Sequence, residues 1–209
     1  MKLDNSIIQV ASTLFMKFGI KSVSMDDICR EAGISKKTIY AKIENKAELI
    51  YLVVSDHIMN EKVIIEKMLV DSRDAIDEMI RISEHVLRSL RDIKPSLTYD
   101  LKKYYKESWQ IIEQLHFRFI KGVIKANIER GITEGIYRSE LNPEIISTMY
   151  LETSKLTVDE DVFSLRTFTR ENLYRQFIRY HMFGVLSEKG MKKYNTYKKV
   201  TKNEIGIAI

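Results

Sequence analysis

Cysteine is all but missing from this sequence. The single Cys29 rules out an intrachain disulfide and fits a reducing, cytoplasmic compartment. On the inner side of a short helix its thiol reads as packing rather than as a redox switch. Proline is nearly as scarce, with Pro95 and Pro143 alone among 209 residues, and glycine occurs only eight times. So few breaks favour long helices over a many-turned β architecture. The longest apolar run, Leu49 to Val54, falls far short of the ~20 residues that span a bilayer. Met1 to Gly19 carries polar residues at helical spacing, so no secretory signal is expected there, and no membrane partner. His57, His85, His116 and His181 are widely separated, which leaves no paired ligand spacing and no metal site to expect. A phosphate-cradling GxxxxGKS or GxxxxGKT loop, a GxGxxG turn after a strand and a GxSxG elbow are all missing. Neither an enzyme nor a bound cofactor is expected.

Charge is present in quantity: 34 Lys and Arg against 29 Asp and Glu give a net +5 and a pI near 9.1, which suits a polyanionic partner. Its distribution says more than its sum. The first fifty residues are only +2, while Glu188 to Glu204 is +4. The local concentration that matters lies in Ser24 to Lys46, SMDDICREAGISKKTIYAKIENK. Ser24 suits the N-cap of a short helix with an acidic first turn, Asp26 and Asp27, and an apolar face of Ile28 and Ala32. Gly33 supplies the left-handed residue that ends it. Ser35 then caps a second helix whose Ile39 and Ile43 face inward, leaving Lys36, Lys37, Thr38, Tyr40 and Lys42 outside. Two short helices joined by a glycine turn form a helix-turn-helix, whose second member enters a DNA major groove. From Ser35 to Lys46, four lysines face one acid, Glu44. That suits phosphates, although a lysine-rich face is also the ordinary form of a solvated helix.

Gly19, Ser24, Ile28, the run Ala32-Gly33-Ile34-Ser35, then Thr38-Ile39-Tyr40, Lys46 and Leu49 resemble the DNA-binding signature of tetracycline-repressor-like (TetR) regulators. The resemblance covers roughly the first fifty residues, with a weaker echo from Gly131 to Pro143. It implies a dimeric, all-helical repressor with a variable ligand-sensing domain. Ile43 stands where such proteins usually have phenylalanine, and Cys29 where they usually have alanine; both read as core substitutions of tolerable volume. Ala41, where a larger residue is common, bears on base preference rather than on fold.

The remaining chain reads as helices. Asn5 to Phe18 carries one apolar stripe, Ile7, Ala11, Leu14, Phe15 and Phe18, closed by Gly19. Asn45 with Glu48 is a capping box that opens a helix running from Lys46 to about Val70. Asp71 or Ser72 is expected to cap the next, which reaches Ile93. Pro95 suits the first turn of a helix with Leu97, Leu101, Tyr104 and Tyr105. A single further helix is read through Trp109, Ile112, His116, Phe119 and Val123 to Gly135, with Gly131 allowing a close approach. Asn142-Pro143 opens the penultimate long helix, as far as Leu156, and Thr167 to Leu186 forms the last one. An acidic loop, Asp159, Glu160 and Asp161, lies between them. The lysine-rich, aromatic-poor tail after Gly190 is expected to be helical at first and frayed later.

The expected fold is thus all-α with about nine or ten helices: a helix-turn-helix domain over 1–46 and a sensor and dimerisation bundle over 47–209. The function read from it is a sequence-specific transcriptional regulator, a ligand-released repressor acting as a homodimer on a palindromic double-stranded operator. Surplus apolar surface on the last two long helices would build the dimer. Ser24, Ser35, Lys36, Lys37, Thr38, Tyr40, Lys42 and Lys46 are the candidate DNA contacts, with Lys46 and Tyr40 on phosphates and Lys36, Lys37 and Thr38 on base edges. A small, largely apolar effector is implied by the resemblance, and Tyr104, Trp109, His116 and Tyr150 are the candidate pocket residues. For His116 a hydrogen-bonded core role is the alternative reading. The competing function is a protein-interaction module that uses a helix-turn-helix without DNA.

Overall fold

Several helices in this chain begin where a side chain satisfies the loose backbone N–H groups of the first turn, as Ser24, Ser35, Asn142 and Thr169 do. The computed structural model describes residues 5–92, 95–159, 161–164 and 166–205, and among them no strand forms. Eleven α-helices follow in order: α1 (Asn5–Phe18), α2 (Met25–Ala32), α3 (Lys36–Tyr40), α4 (Lys46–Asp71), α5 (Ala75–Asp92), α6 (Pro95–Tyr104), α7 (Lys106–Ile111), α8 (Phe117–Thr133), α9 (Pro143–Leu156), α10 (Arg170–Val185) and α11 (Glu188–Ile205). They fall into two compact units, one formed by 1–64 with 92–116, the other by 65–91 with 117–209. The boundary expected at 46/47 is the entry into α4. Packing groups the first part of that helix, and α6 and α7, with the reader.

In the first unit, Ile7, Ala11 and Phe15 of α1 close over Ile28 and Cys29 of α2, Ile39 of α3 and Leu49 and Ile50 of α4. Of the three positions that depart from the TetR pattern, Cys29 and Ile43 are buried in this core and Ala41 is exposed. Leu101 of α6 joins it, with Tyr105 and Trp109 packed at its edge.

In the second unit the core runs through Ile76, Met79, Ile124, Ile128, Tyr150, Phe177, Ile178 and Met182. A network of buried polar groups fixes the start of α5. Asn127 donates to Ala75 O and Glu78 Oε1, each at 2.9 Å. Tyr137 Oη donates to Ala75 O at 3.1 Å and to Asn127 Oδ1 at 3.0 Å. Arg130 holds Glu78 at 2.9 Å and Glu134 at 2.8 Å. Satisfied in this way, buried polar atoms avoid the desolvation cost they would otherwise carry.

Several expectations are corrected. Asp74, not Asp71 or Ser72, caps α5: its Oδ1 accepts from Ile76 N and Asp77 N, both at 2.9 Å. Ser72 is engaged elsewhere, accepting from Arg130 at 2.8 Å. The helix read from Trp109 to Gly135 is interrupted by a π turn, Ile112–His116, which separates α7 from α8. A π turn changes the hydrogen bonding locally from i+4 to i+5 without any marking residue type, so the spacing of the apolar residues in the sequence does not reveal it. At the far end of α8, Gly135 has φ 67 and Ile136 N returns to Gly131 O, a left-handed cap. The Tyr137 ring lies on the bare face of Gly131. The last long helix starts at Arg170 behind the cap Thr169, not at Thr167. The tail begins as a helix, as expected, and its first turns dock: Tyr194 is buried, Tyr197 Oη donates to Asp74 at 2.6 Å, and Lys193 pairs with the same carboxylate at 2.7 Å, while the side chains beyond Tyr197, where fraying is expected, lie outside the described residues. Glu160 of the acidic loop lies outside the described residues.

Candidate nucleic-acid interface

The reader is assembled from three local devices. Ser24 Oγ accepts from Asp27 N at 3.1 Å while Asp27 Oδ2 accepts from Ser24 N at 2.9 Å, a reciprocal capping box. The Ser24 hydroxyl also donates to that carboxylate, which holds the Asp27 pKa below its usual range. Gly33, at φ 64, ends α2, with Gly33 N on Arg30 O and Ile34 N on Cys29 O. Ser35 Oγ then accepts from Thr38 N at 3.1 Å, and the Ser35 and Thr38 hydroxyls share a hydrogen bond of 2.8 Å. Ile39 is completely buried, which fixes the rotation of α3 and leaves Lys36, Lys37, Thr38 and Tyr40 on its exposed surface.

These side chains are not equivalent. Lys36 pairs with Asp26 of α2 at 2.8 Å, both ends well exposed, and its pKa is raised first by that hydrogen bond. Lys37 is exposed, and Tyr40 keeps 48% of its surface open although it is aromatic. Lys42, beyond the end of α3, is half-buried. Lys46, the first residue of α4, donates from Nζ to Ile20 O at 2.6 Å. Burial pushes its pKa down. An ammonium has three protons, so this bond leaves two for another acceptor. Asn45 Oδ1 accepts from Glu48 N at 3.0 Å, and the Glu48 carboxylate returns to Glu44 N at 2.6 Å, one residue before the position that a standard capping box would use.

The four expected pocket residues are dispersed. Tyr104 is exposed at the end of α6, under the Lys21 ammonium. Trp109 edges the first core. The His116 side chain lies outside the described residues, although its backbone closes the π turn. Tyr150 is buried in the second unit, its ring 4.8 Å from those of both Phe177 and His181. Sequence reading missed His181. Its Nε2 is buried with no hydrogen-bond partner among the described residues, and burial pushes its pKa down to about 4. Its spacing from Phe177 and Tyr174 (i+4, i+7) was the available signal. Nearby, Met79, Ser83, Ile178, Met182 and Tyr194 enclose a space too tight for a water molecule. A depression of about 320 Å³ lies instead on the first unit, between Leu14 and Phe18 of α1 and Asp27 and Arg30 of α2. None of the expected pocket residues lines it.

Residues 7–51, which span α1 to the start of α4, match the family described as bacterial regulatory proteins, tetR family. Over 155 residues the chain is 28% identical to the uncharacterized HTH-type transcriptional regulator YhgD of Bacillus subtilis (strain 168), covering 70% of this chain and 77% of that one. Among solved structures, a transcriptional regulator from Cytophaga hutchinsonii ATCC 33406 has a TM-score of 0.74 at 14% identity, covering 88% of this chain and 98% of its own. A transcriptional regulator from Saccharomonospora viridis, in complex with choline, has a TM-score of 0.71 at 15% identity over 88% and 97%. Likeness at these identities shows a shared fold.

Proposed function

Because the chain belongs to the TetR family and is a DNA-binding transcriptional regulator, we propose that it acts as a homodimeric repressor, released from a palindromic operator by a small, largely apolar effector. The observation that carries the reading is the α2–α3 pair, locked by the Ser24 and Ser35 side-chain caps and the left-handed Gly33, with Lys37, Thr38 and Tyr40 left open on a helix whose rotation Ile39 fixes. Lys37 and Thr38 reach base edges, with Lys36 and Lys42 beside them; Tyr40 and the two spare protons of Lys46 hold phosphates. Ser24 and Ser35 set the helix ends.

The dimer is built by α9 and α10. Ile145, Met149 and Leu156 (i, i+4, i+11) form an exposed stripe on α9, and Tyr180 and Phe183 (i, i+3) form one on α10, Tyr180 with 80% of its surface open. Apolar stripes of this kind are what a partner helix pair covers.

The effector enters the second unit between Met79 and Ser83 of α5 and Ile178 and Met182 of α10, beside Tyr150 and the unpaired His181 Nε2. Methionine side chains yield to a guest, and the unpaired imidazole nitrogen orients it. The signal travels along α4, whose 26 residues span about 39 Å. A small tilt at its far end becomes a shift of some ångströms at the reader, enough to spoil the ~34 Å half-site spacing. Coupling of ~1–3 kcal/mol weakens DNA binding ~5- to 150-fold, and operator DNA weakens effector binding by the same factor.

The test is binding to DNA from the protein's own upstream region at low salt. Lys46→Ala should weaken binding to all sequences and lower the salt slope by about 1, whereas Lys37→Ala should mainly relax specificity. Failure of the wild-type protein to shift that DNA would favour the protein-interaction reading.

A further inference from the structure

A second cationic surface lies in the same unit as the reader, where the turn between α1 and α2 meets the end of α6. Lys21 Nζ stands 3.6 Å from the centre of the Tyr104 ring. Lys103 Nζ donates to Tyr99 Oη at 2.5 Å and lies 5.4 Å from the Tyr104 ring, and Lys102 Nζ lies 5.0 Å over Trp109. The two tyrosine rings meet edge to face at 6.4 Å. All three lysines are exposed, and none has a carboxylate at ion-pair distance among the described residues.

The difference from Lys36 decides what such a surface is for. Asp26 neutralises Lys36. An aromatic face holds an ammonium in place and leaves its charge uncancelled, so the field outside stays positive. The rings also restrain the long side chains in advance, which reduces the entropy lost when an anion binds. Asp100, which acts on Lys21 through space, is buried. The surface adjoins the reader directly, because Ile20 O, next to Lys21 in the chain, accepts the Lys46 ammonium at 2.6 Å. A DNA strand leaving a phosphate on Lys46 presents another about every 3.4 Å of helix axis. A regular row of single charges suits three lysines spread along two elements.

We propose that Lys21, Lys102 and Lys103 bind phosphates that flank the half-site, so that α6 extends the DNA contact beyond the helix-turn-helix, with Tyr99, Tyr104 and Trp109 positioning the ammonium groups. The proposal rests on the reading of α2 and α3 as the operator-binding pair.

The test uses the full-length protein and two duplexes that share one operator, delimited by footprinting on the protein's own upstream region. One duplex ends at the operator, and the other carries about ten further base pairs on each side, one helical turn. Wild-type protein should bind the longer duplex more tightly, with a log affinity against log salt slope steeper by about 5, for three phosphates on each of the two flanks at ~0.9 per phosphate. The K21Q/K102Q/K103Q variant should lose that difference, keep wild-type affinity for the short duplex and melt as the wild type does. Arginine at the same three positions should restore the steeper slope. Equal wild-type slopes on both duplexes would overturn the flanking contact while leaving the reader intact. So would a variant that loses affinity equally on both, since that reports a general field effect. A wild-type protein that binds neither duplex would refute the reader itself and the extension with it.

Discussion

The two units of this chain treat charge in opposite ways. In the first, lysines stay at the surface and are tethered by neutral groups: Lys46 by the Ile20 carbonyl, Lys21 and Lys103 by the Tyr104 ring. In the second, carboxylates are sunk into the protein. Asp74, Asp77 and Glu78 each expose only 4% of their surface and are answered by Lys193, Arg73 and Arg81, and Arg130. A unit that must present charge to a partner keeps it unneutralised, whereas a unit that must fix the ends of its helices spends charge internally on capping and pairing.

The largest test of that contrast removes one member of the buried set. Arg130→Met leaves Glu78 buried and without its guanidinium, and should cost about 3–5 kcal/mol in denaturant unfolding. A cost below 1 kcal/mol would show that Glu78 reaches water and that the second unit handles charge as the first does.

Asp77 gives the next effect. Burial alone would raise its pKa, but hydrogen bonds from Arg73 and Arg81 outweigh burial and hold it at about 2, against the usual 3.8. A depressed carboxyl stabilises the fold above its unfolded pKa, and that contribution disappears as pH falls through the folded value. Between about pH 4 and pH 2 the wild type should therefore lose about 2 kcal/mol that Asp77→Asn does not lose. Parallel acid-unfolding curves for the two proteins would remove Asp77 from the network.

A packing change is comparable in size. Gly131→Ala puts a methyl group into the Tyr137 ring and should destabilise by about 1–3 kcal/mol, read as a lower melting temperature. Gly33→Ala in the reader meets no neighbouring atom and strains only the backbone at φ 64, so about 1 kcal/mol is expected.

The smallest effect sharpens the other side of the contrast. Lys37→Ala should leave stability within ±0.5 kcal/mol while DNA binding changes. Lys36→Ala, which breaks an exposed pair, should cost no more than about 1 kcal/mol. Unfolding curves that moved by several kcal/mol would mean that the surface lysines of the first unit are structural.

Many features that depend on residues within one or two turns were readable in the sequence, although the Asp74 and Thr169 caps were not. The bounds of α1, the capping of α2 by Ser24, of α3 by Ser35 and of α9 by Asn142, and the left-handed Gly33 and Gly135 all follow from side chains and backbone no more than six residues apart. The reader is such a feature, and it also carries the family signature. The pocket residues were not readable in this way. Tyr104 and Tyr150 occupy similar stripes on paper, yet one lies open under Lys21 and the other is sealed against Phe177 and His181.

What the sequence determined by itself was helix content, the position of the helix-turn-helix and the identity of its capping residues, because hydrogen bonds three or four residues apart need nothing from the rest of the chain. Only the tertiary structure decided that Asp74 rather than Asp71 or Ser72 caps α5, that a π turn divides α7 from α8, that the lysine-rich tail docks through Tyr194 and Tyr197, and that α6 packs with the reader. The docked tail turns on a contact between residues far apart in sequence, and the Asp74 cap, although itself local, wins because Arg130 engages Ser72 from 58 residues away; periodicity assigns a face without saying what will cover it.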